Sequence, residues 1–270
     1  MKKPDASAIR QALAEESKAH LDELELFGSI ASTNTYLMSQ LPPAAGRFRV
    51  AVADHQTSGR GRHYRRWLSP PGAGLYLSFA YSFEKQPENV PSLTLAIGVG
   101  VVNALQELGI GGVSLKWPND IVALDGKLGG ILTEMQSRPG KSVTIVTGIG
   151  LNMALPDDVE QKIESDWAAR TVDLSTICDL LPETSEIIAM LLQHLHTSMR
   201  KFESFGFDGF AEHWSAYDWL KNRKVIVDQP DQKVSGVAAG VDKDGALLID
   251  TDDGKIRMVS GSVMIAGLAA

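Results

Sequence analysis

The chain has 270 residues, 44% of them hydrophobic and 22% charged, with a formal net charge of −7. Such a chain can bury a large core, which excludes a disordered or collagen-like protein. The negative balance excludes general electrostatic binding to nucleic acid, and Cys178, the one cysteine, excludes an intramolecular disulfide.

The N-terminus, "MKKPDASAIRQALAEESKAHLDEL", is basic only at its tip and then amphipathic, with no apolar signal core. No apolar run long enough for a membrane span is read anywhere, so a cytoplasmic protein is expected. Residues 6–20 have helical composition. Residues 34–41 predict a second helix, stopped by Pro42-Pro43. "RFRVAVA" (47–53) and "GLYLSFAYSF" (74–83) predict strands on either side of an arginine-rich loop. Residues 92–108 predict a buried helix with a stop at Gly109. Short strands are expected over 113–153, divided by turns at Asp125-Gly126 and Pro139-Gly140. Residues 158–218 look helical, most clearly "ETSEIIAMLLQHLHTSMRKFESF". After Asn222 come "KVIVDQ", "KVSGVAAGVD", "GALLIDT", "KIRMVS" and "SVMIAG", strand candidates separated by polar or glycine turns. They predict a small SH3-like β-barrel, with domains at 1–222 and 223–270.

Several motifs fail. "RPGKS" (138–142) ends like a phosphate-binding P-loop, but Met135 stands where its first glycine belongs, and the context is a hairpin. "GIGLNM" (148–153) and "GVGVVN" (98–103) lack the third glycine of a dinucleotide turn. Serine-hydrolase and zinc signatures are missing. His194 and His196 are two apart on a predicted helix and so point in different directions; packing accounts for them. "DKDG" (242–245) reads as a hairpin turn rather than a calcium loop.

What remains is a constellation. "TSGRGRHYRRW" (57–67) places four arginines and a histidine around two glycines in an acidic chain. Glycines let backbone approach a ligand and expose N–H groups; arginines offer planar donors to phosphate or carboxylate. Trp67 offers an apolar stop or a stacking surface. In "KWPNDIVALDGKLGGILTE" (116–134), Pro118 cannot donate to a central ladder, so "WPND" should leave the sheet and expose Lys116, Asn119 and Asp120 beside the loop. "DGKLGG" then returns Lys127 next to two glycines as an anion anchor. Taken singly, each of these charges reads first as a solvated surface group. Ser32-Thr33-Asn34 reads as a helix cap as readily as a binding site, and Asn152 as a turn residue.

In order and spacing, "STN" (32–34), "QTSGRGRHYRRWLSPPGAGLYLSF", "KWPNDIVALDGKLGGILTE", "TGIGLNMA" (147–154) and "GVDKDGALLI" (240–249) together resemble the biotin–protein ligases. The resemblance covers most of the chain. It implies an α/β (α+β) fold, with a class II synthetase-like mixed central sheet flanked by helices, then the SH3-like unit. It implies a two-step reaction: biotin and MgATP give biotinyl-5′-AMP, and a lysine of a biotin carboxyl carrier domain takes the biotinyl group. Carried over by position, Ser32, Thr33, Asn34 and Gln56 hold the biotin head group, with Gly59, Arg60, Gly61 and Arg62 above it. Gly130, Ile131 and Leu132 line the biotin pocket. Arg60, Arg62, Arg65, Trp67, Lys116, Asn119 and Asn152 fall on adenylate positions. Lys127, Arg62, Asp120 and Lys116 carry the chemistry, Lys127 near the biotin carboxylate and the α-phosphate. Asp120 is also the candidate for Mg²⁺; no other metal ligand is assigned.

The chain departs from the family pattern at Tyr64, where glycine is usual, at Ser262, where glutamate is expected, and at Ala239, where some members have arginine. No site residue is therefore assigned beyond 152. About 30 residues precede Ser32, too few for the DNA-binding domain of some members, so neither DNA binding nor repression is expected. Edge strands leave room for a homodimer. The rival readings are a lipoate or octanoate ligase of the same fold, a non-catalytic biotin sensor and an RNA-binding module.

Overall fold

The computed structural model describes residues 2–85, 87–136, 143–156, 171–229 and 232–266. Asp5 opens α1 (Ala6–Ala12) by accepting a hydrogen bond from the Ala8 N–H at 2.8 Å. Leu13 then turns extended, with its side chain in the core, and α2 (Glu15–His20) starts afresh. The helix expected over 6–20 is thus two helices. β1 (Leu21–Phe27) has no counterpart in the sequence reading. It is an edge strand whose charged residues interrupt a clean alternation, and it pairs parallel to β2 (Phe48–Ala53). Between them, Ser32 caps α3 (Thr33–Ser39).

β3 (Gly74–Ser82) leads to α4 (Val90–Glu107), which ends before Gly109 at φ 79°. β4 (Val113–Lys116) and β5 (Asp120–Ala123) form a hairpin around "WPND", whose Trp117–Pro118 bond is cis. β6 (Gly126–Gln136) and β7 (Thr144–Asn152) are long, not short as expected, and pair antiparallel. The turn expected at Pro139-Gly140 lies outside the described residues. One seven-stranded mixed sheet results, in the order β1-β2-β3-β7-β6-β5-β4. The helical stretch expected over 158–218 contains α5 (Leu174–Ile177), α6 (Thr184–Phe205) and α7 (Ala211–Tyr217); residues 157–170 lie outside the described residues.

Strand alternation gives the sheet two different faces. Val50, Val52, Leu75, Leu77, Phe79 and Ile149 join the main core with α4 and α6. Gly98 and Gly100 let α4 approach closely: a Cβ would meet Leu115 at 3.1 Å from Gly98 and Ser198 Oγ at 2.5 Å from Gly100. By length and apolarity α4 matches a bilayer span, against the sequence expectation, but 67% of it is buried inside the protein. The opposite face carries Ala51, Ala80 and Val146, which pack under α3 through Leu37. The rest of that face is left for the site.

β8 (Lys224–Gln229), β9 (Gln232–Val241), β10 (Leu247–Thr251), β11 (Gly254–Met258) and β12 (Ser262–Ile265) form an antiparallel SH3-like sheet in the order β11-β10-β9-β8-β12. Its "DKDG" turn is the expected hairpin turn, with Asp242 accepting from the N–H groups of Asp244 and Ala246 at 2.9 Å. The turn also docks the unit. Trp117 Nε1 donates to Gly245 O at 3.0 Å, Asn89 Nδ2 donates to Asp244 O at 2.7 Å, and Gly245 lies against Ser92 and Leu95.

Candidate functional site

A cavity of about 470 Å³ opens on the free face of the large sheet. Its floor is glycine. Gly130 and Gly150 pair across β6 and β7, and Gly148 pairs with Leu132. Trp67 lies on this floor: a Cβ would meet its ring at 3.2 Å from Gly130 and 2.6 Å from Gly150. Trp67 Nε1 is buried with no hydrogen-bond partner among the described residues.

The arginine loop follows β2 as a tight hairpin. The Trp67 N–H donates to Gly59 O at 2.9 Å, the Gly61 N–H donates to Arg65 O at 2.8 Å, and Arg60 bridges Arg66. Arg62–Tyr64 forms one 3₁₀ turn at its tip. Arg60, Gly61, Arg62, Arg65 and Trp67 line the cavity; Gly59 does not. Gly59 is buried where a Cβ would meet Trp67 O at 2.5 Å. It serves the hairpin's close approach rather than a ligand, which corrects its assignment to the biotin wall.

One end wall is neutral and fully bonded. The Thr33 N–H and hydroxyl reach Gln56 Oε1 at 2.9 and 3.1 Å. Ser78 Oγ lies 2.7 Å from Thr33 Oγ1 and 2.6 Å from Asn34 Oδ1. Asn34 Nδ2 donates to Leu132 O at 3.3 Å and to Glu134 at 2.9 Å. The Asn34 amide is thus largely occupied in orienting this wall. Ser32 is buried beside it, its Oγ accepting from the Thr35 N–H.

The other end is charged and, contrary to expectation, not exposed. "WPND" does turn out of the ladder. Yet Lys116 and Asp120 flank the turn as a cross-strand pair and are only 2% and 7% exposed. Lys116 Nζ and Lys127 Nζ lie 3.6 and 2.8 Å from opposite oxygens of Asp120. Burial pushes the Lys116 ammonium down to about 8, against the pull of Asp120. Desolvation also lowers Arg62, which reaches Asn119 Oδ1 at 3.4 Å. Asn119 Nδ2 donates to Ile131 O at 2.8 Å. Asn152 is the last residue of β7 rather than a turn residue, and its Nδ2 donates to Val172 O at 3.0 Å.

Gly130 and Leu132 sit on the cavity side. Ile131 lines the cavity as expected, but through its backbone and not through its apolar side chain. Strand alternation turns it to the other face, where it lies 3.6 Å from a Cβ built on Gly98 of α4. Its backbone alone serves the site.

Sequence reasoning missed part of the wall. Thr171 and, in the SH3-like unit, Gly261, Ser262 and Val263 line the cavity, so the restriction to residues before 153 is overturned. Ala239 does not line it. Gly148 and Gly150 were also missed, although their signal was present. "GIG" on a strand puts two glycines on one face, the mark of something packed close to the sheet. Six cationic side chains, Arg60, Arg62, Arg65, Arg66, Lys116 and Lys127, share this wall with one carboxylate, Asp120.

Comparison with known proteins identifies relatives of the chain. Residues 26–152 match the biotin/lipoate A/B protein ligase family, and residues 222–265 match the biotin protein ligase C-terminal domain. The bifunctional ligase/repressor BirA of Escherichia coli is 35% identical over 231 residues, covering 83% of this chain and 68% of that protein. The biotin–[acetyl-CoA-carboxylase] ligase of Mycobacterium tuberculosis is 29% identical over 248 residues, covering 90% and 88%. The solved biotin protein ligase of Aquifex aeolicus, in complex with biotin and ATP, superposes with a TM-score of 0.76 at 28% identity, covering 90% of this chain and 99% of that one. Sequence, fold and the glycine-floored cationic cavity lead to one conclusion: this chain belongs to the biotin protein ligases, within the biotin/lipoate A/B protein ligase family.

Proposed function

We propose that the protein joins biotin and MgATP into biotinyl-5′-AMP with release of pyrophosphate. It then passes the biotinyl group to the ε-amine of one lysine on a biotin carboxyl carrier domain, releasing AMP. The observation that carries this reading is the meeting of two unlike walls on one glycine floor. A neutral hydrogen-bonding wall suits a urea ring; a cationic wall that includes Arg62, Lys116 and Lys127 suits a carboxylate beside a triphosphate.

A biotin carboxylate oxygen must approach the α-phosphorus, and both partners are anionic. Lys127, Arg62 and Lys116 offset that repulsion and stabilise the charge gathering on phosphorus. Lys127 Nζ also sits 5.7 Å from the centroid of the Trp67 ring, which holds the ammonium over the floor. Gly61 and Arg62 of the arginine loop cover the adenylate and keep water from the anhydride. In the second step the carrier amine attacks the acyl carbon and AMP leaves. Asp120, between two ammonium groups, orients the incoming amine.

Asp120 does not fit the role of Mg²⁺ ligand. Both its oxygens face ammonium groups, and among the described residues no cluster of three or more His, Cys, Asp or Glu side chains could hold a metal. The nucleotide brings Mg²⁺ on its own phosphates, and no step here runs through it. The similarity to the E. coli protein covers 68% of its length, and the proposal takes over the ligase part of its name alone. Residues 1–222 are assigned to the biotin and ATP unit and residues 223–270 to the SH3-like unit. We assign the reaction to the cytoplasm, where ATP is available.

The test is ATP–pyrophosphate exchange with biotin, lipoate or octanoate. Exchange with biotin alone is the expected result. Exchange with a fatty or lipoyl acid alone would move the chain to the lipoate branch, and none with any acid would leave a sensor. Lys127→Ala should reduce biotin-dependent exchange by at least about a hundredfold with little change in melting temperature; near-normal exchange would remove Lys127 from the site.

A further inference from the structure

Glu134 stands outside the cavity wall, on β6 two residues beyond Leu132 and on the same face of the sheet. Its carboxylate accepts from Arg60 Nη2 at 3.0 and 2.8 Å and from Asn34 Nδ2 at 2.9 Å. These partners come from distant parts of the chain, Arg60 from the arginine loop and Asn34 from the first turn of α3. Asn34 continues through the hydroxyls of Ser78 and Thr33, and the Thr33 N–H completes the line by donating to Gln56 Oε1. One line of hydrogen bonds therefore runs from the arginine loop, through Glu134, to the far end of the neutral wall. The Arg60–Glu134 contact is charge-assisted and only partly exposed, with side chains 38% and 24% accessible.

We propose that Glu134 is a positioning residue: it holds Arg60 as a strut and ties the arginine loop to the wall that receives the biotin head group. Arg60 then stabilises the loop rather than binding phosphate, and contact with the adenylate falls to Arg62. Neither Glu134 nor this division of labour between the two arginines follows from the loop sequence. A guanidinium already held by a carboxylate is a weak partner for a second anion, because binding that anion means giving up or sharing the first.

The kinetic half of this inference rests on the biotin-ligase reading; the structural half does not. The test uses the full chain as Glu134→Gln, Arg60→Met and the double variant. In ligand-free protein the rate of trypsin cleavage after Arg62 reports how firmly the loop is seated. Each single variant should speed cleavage about tenfold, and the double variant no more than either single, because both remove one charge-assisted contact. Cleavage unchanged in Glu134→Gln would overturn the strut. With biotin and ATP, Glu134→Gln should raise KM for biotin by a larger factor than it lowers kcat, a split that general loosening of the fold would not give. Effects of Arg60→Met and Glu134→Gln that multiply in the double variant would show Arg60 contacting ligand on its own, and would also overturn the proposal. If no acid supports exchange, the biotin reading fails while the cleavage result still decides the strut. Should Glu134→Gln unfold, Arg60→Met still tests the strut, and unchanged cleavage in it would be equally fatal.

Discussion

Lys116 shows what one charge costs where it is needed. Its pKa of about 8 lies below the 10.5 of an exposed lysine, so the folded state binds this proton less well than the unfolded chain. Stability should therefore rise as pH increases from 8 to 10.5. At neutral pH the buried ammonium costs up to about 3 kcal/mol. Lys116→Met should raise the unfolding free energy from denaturant titration by about 1–3 kcal/mol at pH 7, since Asp120 keeps Lys127. The same variant should lose most biotin-dependent pyrophosphate exchange. A destabilised variant would mean that the ion pair outweighs its burial. The roles of Lys127, Asp120 and Arg62 could be proposed from the resemblance of their motifs to the biotin–protein ligases. The burial of Lys116 could not, because nothing local says that both ends of a hairpin turn will be covered by a loop and a second unit.

At the scale of elements, the site is made by strand alternation. On β6, Gly130 and Leu132 face the cavity, Glu134 lies beyond it on the same face, and the Ile131 side chain faces α4, so neighbouring residues serve opposite layers. On β7, Gly148 and Gly150 clear the floor. A methyl group at Gly150 would meet the Trp67 ring at 2.6 Å. Gly150→Ala should therefore lift Trp67 and cut exchange at least about tenfold while unfolding stays cooperative. Normal exchange would show that Trp67 can shift without loss. The strands and α4 were legible because their apolar periods are strong. β1 was not, because an edge strand with one half-solvated side keeps too little of the pattern. The break at Leu13 was hidden for a related reason: the helical composition continues through it, and only packing in the core pulls that residue out of the helix.

At the scale of the molecule, two features govern stability and completeness. His196 is buried against Ser17, Phe48 and His20, and burial pushes its pKa down to about 4. The unfolded chain binds this proton below pH 6.5 and the folded protein only near 4. Stability contributed by the neutral ring is thus full above 6.5 and lost as pH falls toward 4, by roughly 3 kcal/mol. Unfolding free energies measured from pH 7 to 4 should show this slope, and His196→Phe should flatten it; an equal slope in both would assign it to other groups. The second feature is the docked SH3-like unit. Gly245, at φ 78°, lies where a Cβ would meet Ser92 at 2.8 Å. Gly245→Val should loosen the dock and, with it, the wall formed by Gly261, Ser262 and Val263. The expected result is faster release of the adenylate with exchange largely retained. Unchanged release would show that this wall does not touch the ligand.

The sequence by itself determined the class of fold, the order of most elements and the residues that gather around the cavity. Those signals are local, namely apolar period, turn chemistry, and short runs of glycine and cation, and the order of these runs resembles one family, which is what assigned the site residues. Only the tertiary structure decided which face each residue serves, which charges are buried, and which partners hold them. It turned Ile131 away and buried Gly59 under the hairpin. It joined Glu134 to Arg60 across 74 positions of chain and brought β12 into the wall. Each of these depends on contacts between segments far apart in sequence, where burial and pairing, rather than local preference, set the energy of a side chain.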